Sequence, residues 1–171
     1  ASPTLSMSSS SILPLFEQAA AEVSGAPLYA PIGCLATVGL NGKPASRHMG
    51  WHWTIVGEKK ASIFCFTHAK TQKIEELKQN EAVQVCFYFP LAPAQCRMSG
   101  NAQVVSAAST EATLQEHRSS GWKKLPDAMK EHYAVPTEAN APSDEFLMLW
   151  IPLHSVEWLN MQTQETVREE F

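Results

Sequence analysis

The chain has 171 residues, 44% of them hydrophobic, which is enough for one domain with a buried core. Its formal net charge is −4 and it has no lysine- and arginine-rich run, so we expect no nucleic-acid partner, because phosphate backbones are bound mainly by clustered positive charge. No apolar stretch reaches about 18 residues, so the sequence predicts no membrane partner either.

The N-terminal segment and the cysteines bear on domain limits and compartment. Residues 1–10 are rich in serine and predict a flexible tail or the remnant of a transit peptide, followed by a single domain over 11–171. The cysteines form no C-x-x-C pair and lie in strand-like apolar runs, at Cys34, Cys65, Cys86 and Cys96. We expect buried, reduced thiols in the cytoplasm or, after transit-peptide removal, in a plastid or another organelle.

The first predicted element is an amphipathic helix that begins after Ser11 and ends at Ser24-Gly25. A strand over Ile32–Leu40 follows. Asn41-Gly42 then predicts a two-residue hairpin turn with positive φ at both positions, and the second strand runs over Pro44–Val56.

The second strand is unusual because it places an arginine on an apolar face. Strand alternation puts Arg47 in a row with Ala45, Met49, Trp51, Trp53 and Ile55. An arginine on the face that packs on the core needs an anion to pair with. Trp51 and Trp53 fit either the core or a ligand or subunit interface.

The third strand, Ala61–Phe66, breaks at Thr67 into a polar turn, and a helix follows that ends near Asn80. The free N–H groups of a helix's first turn and the helix dipole favour an anion. Thr67, Thr71 and Lys73 suit a phosphate in this position. Taken alone, the same pattern fits an ordinary helix cap with the lysine in solvent.

The rest of the chain predicts strands, short helices and one loop. The strands are Ala82–Phe89, Gln95–Val105 and Phe146–Trp158, and Pro152 interrupts the last of them. The helices are Ser109–His117, which Gly121-Trp122 ends, and Pro126–Tyr133. The loop is Val135–Ser143. About six strands with hairpin-type connections predict a mainly β, α+β fold, a six-stranded antiparallel barrel with short helices packed outside.

Four motifs in this order carry a resemblance to a known family: Leu35–Pro44, Ser46-Arg47, Phe66–Lys73 and Gln95–Gly100. Together they resemble the pyridoxamine 5′-phosphate oxidase-like, FMN-binding split-barrel proteins, and a plant and cyanobacterial branch of them most closely. The resemblance extends over about residues 35–105. It implies a split β-barrel, FMN as cofactor and a homodimer with two FMN sites across a twofold interface.

The resemblance also implies which residues bind the cofactor. Arg47 is expected on the FMN phosphate, and the following segment is expected along the flavin ring, through His48, Met49, Gly50, Trp51 and His52. Further contacts are expected from Phe66, Thr67, Gln72, Lys73 and Gln95. Gln72 departs from the family pattern, which has an arginine there, and the lost contact is worth on the order of 1 to 3 kcal/mol.

The implied function is that of an FMN-dependent oxidoreductase acting on an unidentified small molecule, with Arg118 as the substrate-binding residue. Leu114 and Trp122 stand where true oxidases of the family have a tyrosine and a serine that grip the substrate phosphate. The C-terminal Arg-Leu-His-x-Arg segment of those enzymes is replaced by Thr166–Phe171. Oxidation of pyridoxamine phosphate is therefore not the expected activity.

The alternative is a split barrel without flavin catalysis that binds haem or a protein partner. Gln72 and the altered C-terminal segment favour it, whereas Arg47 and Lys73 oppose it. No metal site is predicted, because His48 and His52 share a strand face but lie about 13 Å apart, too far for one zinc ion.

Overall fold

A computed structural model describes residues 12–23, 31–56, 60–136, 138 and 140–171. The predicted tail over 1–10 and the proposed ends of the first helix, Ser11 and Ser24-Gly25, lie outside these residues. Within them, no helix is both long and apolar enough to cross a membrane.

The described residues form four helices and nine strands. The helices are α1 (Ile12–Val23), α2 (Gln72–Gln79), α3 (Ala112–Lys124) and α4 (Asp127–Lys130). The strands are β1 (Ile32–Val38), β2 (Pro44–Gly50), β3 (His52–Ile55), β4 (Ala61–His68), β5 (Ala82–Phe89), β6 (Ala94–Asn101), β7 (Gln103–Val105), β8 (Phe146–Asn160) and β9 (Thr166–Glu170).

One long strand joins the two halves of the sheet. The order is β2-β1-β5-β6-β8-β4-β3, with β7 and β9 also paired to β8, and the pairings are antiparallel. The first half of β8 pairs with β4 and β7, and its second half pairs with β6 and β9. The sheet therefore curls into a split barrel, which confirms the predicted fold class.

The predicted number of six strands was wrong. The stretch Pro44–Val56 is two strands, because Trp51 turns into the core, is fully buried and donates its indole N–H to the Gly33 carbonyl. The stretch Gln95–Val105 is likewise divided at Ala102. The ninth strand, β9, was missed because its alternate residues are mostly charged or polar and give no apolar period.

Two glycines explain why the β1–β2 turn and helix α3 differ from the sequence prediction. The β1–β2 turn has positive φ at Gly42 alone, at 74°, because Gly39 N–H bonds the Lys43 carbonyl and widens the loop beyond two residues. Helix α3 runs through Gly121 instead of ending before it. A Cβ at Gly121 would lie 2.1 Å from the Phe66 ring, so the missing side chain lets the helix approach the sheet.

Helix α1 packs its apolar face on the barrel core. Its buried face is made by Ile12, Leu13, Phe16, Ala19 and Ala20. Phe16 makes edge contacts with Phe87 and Phe89 of β5 and with Trp53 of β3, at centroid distances of 5.1 to 5.8 Å. Burial of one such side chain is worth about 1.5 to 3 kcal/mol, so this contact fixes the helix on the sheet.

The four cysteines are free thiols. Cys65 and Cys96 are buried as predicted, and burial raises the pKa of the Cys65 thiol to about 12. Cys34 and Cys86 are half-buried on the outer face of the sheet, which the apolar composition of their strands did not indicate.

Candidate functional site

Arg47 of β2 lies at one corner of the barrel, beside Thr37 of β1 and Glu76 of α2. Its Nη2 is 2.7 Å from Glu76 Oε2, and its Nη1 donates to Thr37 Oγ1 at 2.5 Å. The Thr37 hydroxyl donates to the same Glu76 oxygen at 2.6 Å. The arginine predicted to need an anion therefore has one within the chain.

Lys73, in the first turn of α2, lies over the end of β4. Its Nζ donates to Thr67 Oγ1 at 3.0 Å, and the Thr67 and Thr71 hydroxyls are 3.3 Å apart. Thr71 precedes the helix but makes no side-chain cap; its hydroxyl donates to the His68 carbonyl at 2.9 Å. The end of β4, the following turn and the first turn of α2 thus present two hydroxyls and an ammonium together.

The two cationic groups act on each other electrostatically. Burial lowers the pKa of Lys73, and the positive charge of Arg47 lowers it further, while Cys65 and Glu76 act in the opposite direction. The guanidinium contacts Glu76 of α2 and the ammonium belongs to the first turn of the same helix, so the two groups lie on the same side of the molecule. Together with Thr37, Thr67, Thr71 and Glu76 they form what we call the cation corner.

Glu76 is the member of the cation corner that the sequence analysis missed. Its side chain has no solvent exposure. Burial by itself raises the pKa of Glu76, but hydrogen bonds from Thr37, Arg47 and Gln72 and the charge of Arg47 outweigh it, so the net pKa is lowered and the carboxylate is ionised. A sequence signal existed, because Glu76 follows Lys73 by three residues and precedes Leu77, on the face of α2 that is buried.

Gln72 also turns toward this carboxylate. Its Nε2 donates to Glu76 Oε1 at 3.0 Å, one helical turn along α2. Gln72 is exposed overall, so it lies at the rim of the cation corner. The structure brings it to the predicted site, where it contacts the acid.

The other predicted residues of the Arg47–His52 segment divide between the two faces of the sheet. Met49 packs on the core and Trp51 is fully buried within it, whereas His48, Gly50 and His52 are exposed.

His52 stacks on Phe64 at 5.3 Å between ring centroids and approaches Phe66 at 5.5 Å. Although His52 is exposed overall, desolvation of the partly covered ring, with a smaller contribution from the charge of Lys124, lowers the pKa of His52.

Gln95 lies on a different part of the sheet. It is on β6, three strands along the sheet from β2, and is the register partner of Tyr88 and Leu159. Its neighbour Cys96 is buried in the core while Gln95 is half-buried, so Gln95 points to the outer face. Arg47, by contrast, is the register partner of the fully buried Leu35, on the inner face.

Arg118, the predicted substrate-binding residue, is used by the chain itself. Its side chain is buried, and Nε and Nη2 donate to the carbonyls of Phe146 and Ser143, each at 2.7 Å. Burial lowers the pKa of Arg118, and the charge of Asp144 opposes that effect. These bonds tie α3 to the segment that leads into β8, which gives Arg118 a structural role.

Replacing Arg118 with methionine is expected to lower the free energy of unfolding by about 2 to 4 kcal/mol, because two buried carbonyls lose charge-assisted hydrogen bonds. Urea denaturation followed by far-UV circular dichroism measures this loss. The matched control is Arg168→Met on β9, whose arginine is exposed and bonds Glu170. A loss no larger than that of the control would contradict the structural role.

A curled antiparallel sheet with a paired guanidinium, ammonium and threonine hydroxyls at one corner defines a split-barrel protein with a candidate anion site. The sequence pattern of the family described as Pyridoxamine 5′-phosphate oxidase matches residues 18–148. Because the match spans most of the chain, the protein belongs to this family.

Relatives of known identity agree with this assignment. The chain is 26% identical over 148 residues to "Pyridoxine/pyridoxamine 5′-phosphate oxidase 2" of Arabidopsis thaliana, which covers 77% of this chain and 74% of the relative. Among solved structures, a pyridoxamine 5′-phosphate oxidase-related, FMN binding protein from Nostoc punctiforme superposes with a TM-score of 0.75 at 22% identity, over 96% of this chain and 99% of the other. A heme binding protein from Mycobacterium smegmatis gives 0.59 at 15% identity, over 89% and 57%. At these identities the structures show a shared fold.

Proposed function

We propose that the protein is an FMN-dependent oxidoreductase of this family that acts on a small molecule. The observation that carries the proposal is the cation corner, where Arg47 contacts Glu76 of α2 and Lys73 of the same helix contacts the Thr67 hydroxyl, which lies 3.3 Å from that of Thr71. A phosphate group is the natural ligand of such a set, because a guanidinium binds two of its oxygens and an ammonium adds a point charge. The FMN binding protein with the same fold supports the choice of FMN.

The corner has donors left for a phosphate. Among the contacts of the described residues, Arg47 uses one hydrogen bond from each Nη, although a guanidinium carries five N–H donors. Lys73 uses one bond of the three that an ammonium offers. In this proposal Arg47, Thr67 and Lys73 hold the FMN phosphate, and the backbone of His48–His52 together with Phe66 lies along the flavin. When bound, FMN supplies the redox chemistry.

The proposal includes a homodimer, because Arg47 and Gln95 lie on opposite faces of the sheet. A ligand on Arg47 therefore meets Gln95 of a second copy more readily than Gln95 of its own chain. The outer face beside Gln95 also carries exposed apolar side chains, with Ile32 at 50% and Tyr88 at 59% exposure. Burying these residues against the second copy would remove apolar surface from water.

The substrate proposed is a small molecule other than pyridoxamine phosphate. Leu114 and Trp122, at the positions where the family oxidases hold the substrate phosphate, are buried at 4% and 5% exposure, and Arg118 at 2%. All three side chains make packing or backbone contacts, so they provide no polar contacts for a second phosphate.

The test is the absorbance spectrum of freshly purified protein, with and without added FMN, in parallel with a haemin titration. We expect flavin absorbance, or its recovery with FMN at about one equivalent per chain, and a dimer by analytical ultracentrifugation. The absence of FMN binding would overturn the proposal, and saturable haemin binding in its place would establish the haem-binding alternative. Dithionite reduction of the bound flavin, followed by reoxidation with candidate acceptors, then tests the redox role.

A further inference from the structure

Glu76 is a buried carboxylate in the site that is proposed to bind a phosphate. It accepts hydrogen bonds from three side chains: Arg47 and Thr37 at Oε2, and Gln72 at Oε1. By formal charge, Arg47 and Lys73 with Glu76 give the cation corner a net charge of +1. A second phosphate ionisation has a pKa of about 6, so a phosphate monoester carries close to two negative charges at neutral pH.

The carboxylate has two effects on such a ligand, and they oppose each other. It keeps the Arg47 guanidinium in place, because the Nη2 bond and the Thr37 bond together fix the plane of the fork. It also repels an anion that approaches Arg47 and Lys73, and in a partly buried site this repulsion is only weakly screened.

We propose that Glu76 sets the affinity of this site for anions, holding Arg47 in the binding geometry while lowering the net positive charge by one. The inference rests on the proposed function in taking a phosphate as the ligand. With Glu76 present, the site prefers phosphate groups of low charge. It also binds FMN more weakly than the two cations would without the carboxylate. Glu76 is thus a positioning and affinity-determining residue.

The test replaces Glu76 with glutamine, which has the same shape and can still accept hydrogen bonds from Arg47 and Thr37 through its carbonyl oxygen. We expect the dissociation constant for FMN to fall about tenfold, because one repelling charge is removed. The dissociation constant for riboflavin, which has the same ring without the phosphate, should stay unchanged. Both are measured by quenching of flavin fluorescence.

The matched control is Glu75→Gln, one residue earlier on α2. Glu75 is exposed and pairs with Lys78, so this variant makes the same change in formal charge away from the cation corner. FMN affinity should be unaltered in it. If Glu76→Gln leaves FMN affinity unchanged or weaker, or tightens FMN and riboflavin equally, the proposal is wrong.

A second variant tests the same proposal in case Glu76→Gln folds poorly. Gln72→Arg places a cation on Glu76 Oε1 from the rim and raises the net charge of the corner by one without removing the carboxylate. It should also tighten FMN and leave riboflavin unchanged; no tightening would count against charge control of the site.

Failure of the proposed function can be told apart from failure of this inference. If neither the wild type nor the variants bind FMN, the flavin proposal fails, and inorganic pyrophosphate becomes the probe. Glu76→Gln should then gain more thermal stability from pyrophosphate than the wild type or Glu75→Gln. Equal gains in the three proteins would overturn the role of Glu76.

Discussion

Replacing Arg47 with alanine is expected to weaken FMN binding by about 100-fold. The substitution removes a bidentate, charge-assisted contact to the phosphate, worth about 3 kcal/mol, which corresponds to roughly 100-fold in affinity. Titration of the apoprotein with FMN measures the change. Arg168→Ala serves as the charge-matched control, because that arginine is exposed on β9.

The same substitution also affects folding, and the two effects need separating. Without Arg47, the buried Glu76 carboxylate loses its cation, and breaking a buried ion pair from one side costs about 3 to 5 kcal/mol. The double variant Arg47→Ala with Glu76→Gln removes that unpaired charge and should recover much of the stability without recovering FMN binding. Equal FMN affinity in Arg47→Ala and Arg168→Ala would remove Arg47 from the site.

Replacing Gly100 with alanine is expected to lower the free energy of unfolding by about 3 kcal/mol, the upper end of the usual cost of overpacking. A Cβ at this position would lie 2.2 Å from the Pro152 carbonyl oxygen and 2.8 Å from Ile151 Cγ2. The oxygen belongs to the backbone of β8, so relief requires the two central strands to separate. Urea denaturation gives the measurement.

A second glycine provides the control for Gly100. Gly42 has a positive φ of 74° and nothing within 4 Å of its hypothetical Cβ, so Gly42→Ala adds backbone strain without a clash. Its cost should be about 1 to 2 kcal/mol. If Gly100→Ala costs no more stability than Gly42→Ala, the paired strands β6 and β8 have room for a side chain at Gly100.

Much of the fold was predictable because most strands carry a regular alternation. The β5 limits, Ala82–Phe89, match the prediction residue for residue, and they were readable because its alternate side chains are apolar and buried. The missed features are tertiary in origin. Gly121 lies inside a helix because Phe66, distant in the sequence, needs the space, and no local pattern reports such a contact.

The candidate site was predictable in its cations and not in its anion. Arg47 stands out because it lies on an apolar face, and Lys73 gains significance only from the Thr67 and Thr71 hydroxyls near it at the helix start. The spacing of Glu76 from Lys73 is only a weak signal, since an acid in a short polar helix is common and the burial of Glu76 depends on Arg47 and Thr37 from another part of the sheet. The contacts of Arg118 were not predictable for the same reason, because carbonyl partners 25 and 28 residues away have no sequence signature.

Strand β8 belongs to both halves of the sheet, and this arrangement has a mechanical consequence. Detaching either half requires β8 to give up a row of backbone hydrogen bonds, to β4 on one side or to β6 on the other, so the loss of one half destabilises the strand with which the other half pairs. Local distortion near β4 and the start of α2 can thereby pass along one continuous backbone to β6 and β9. The barrel should therefore unfold in one cooperative transition, without a stable half-folded intermediate.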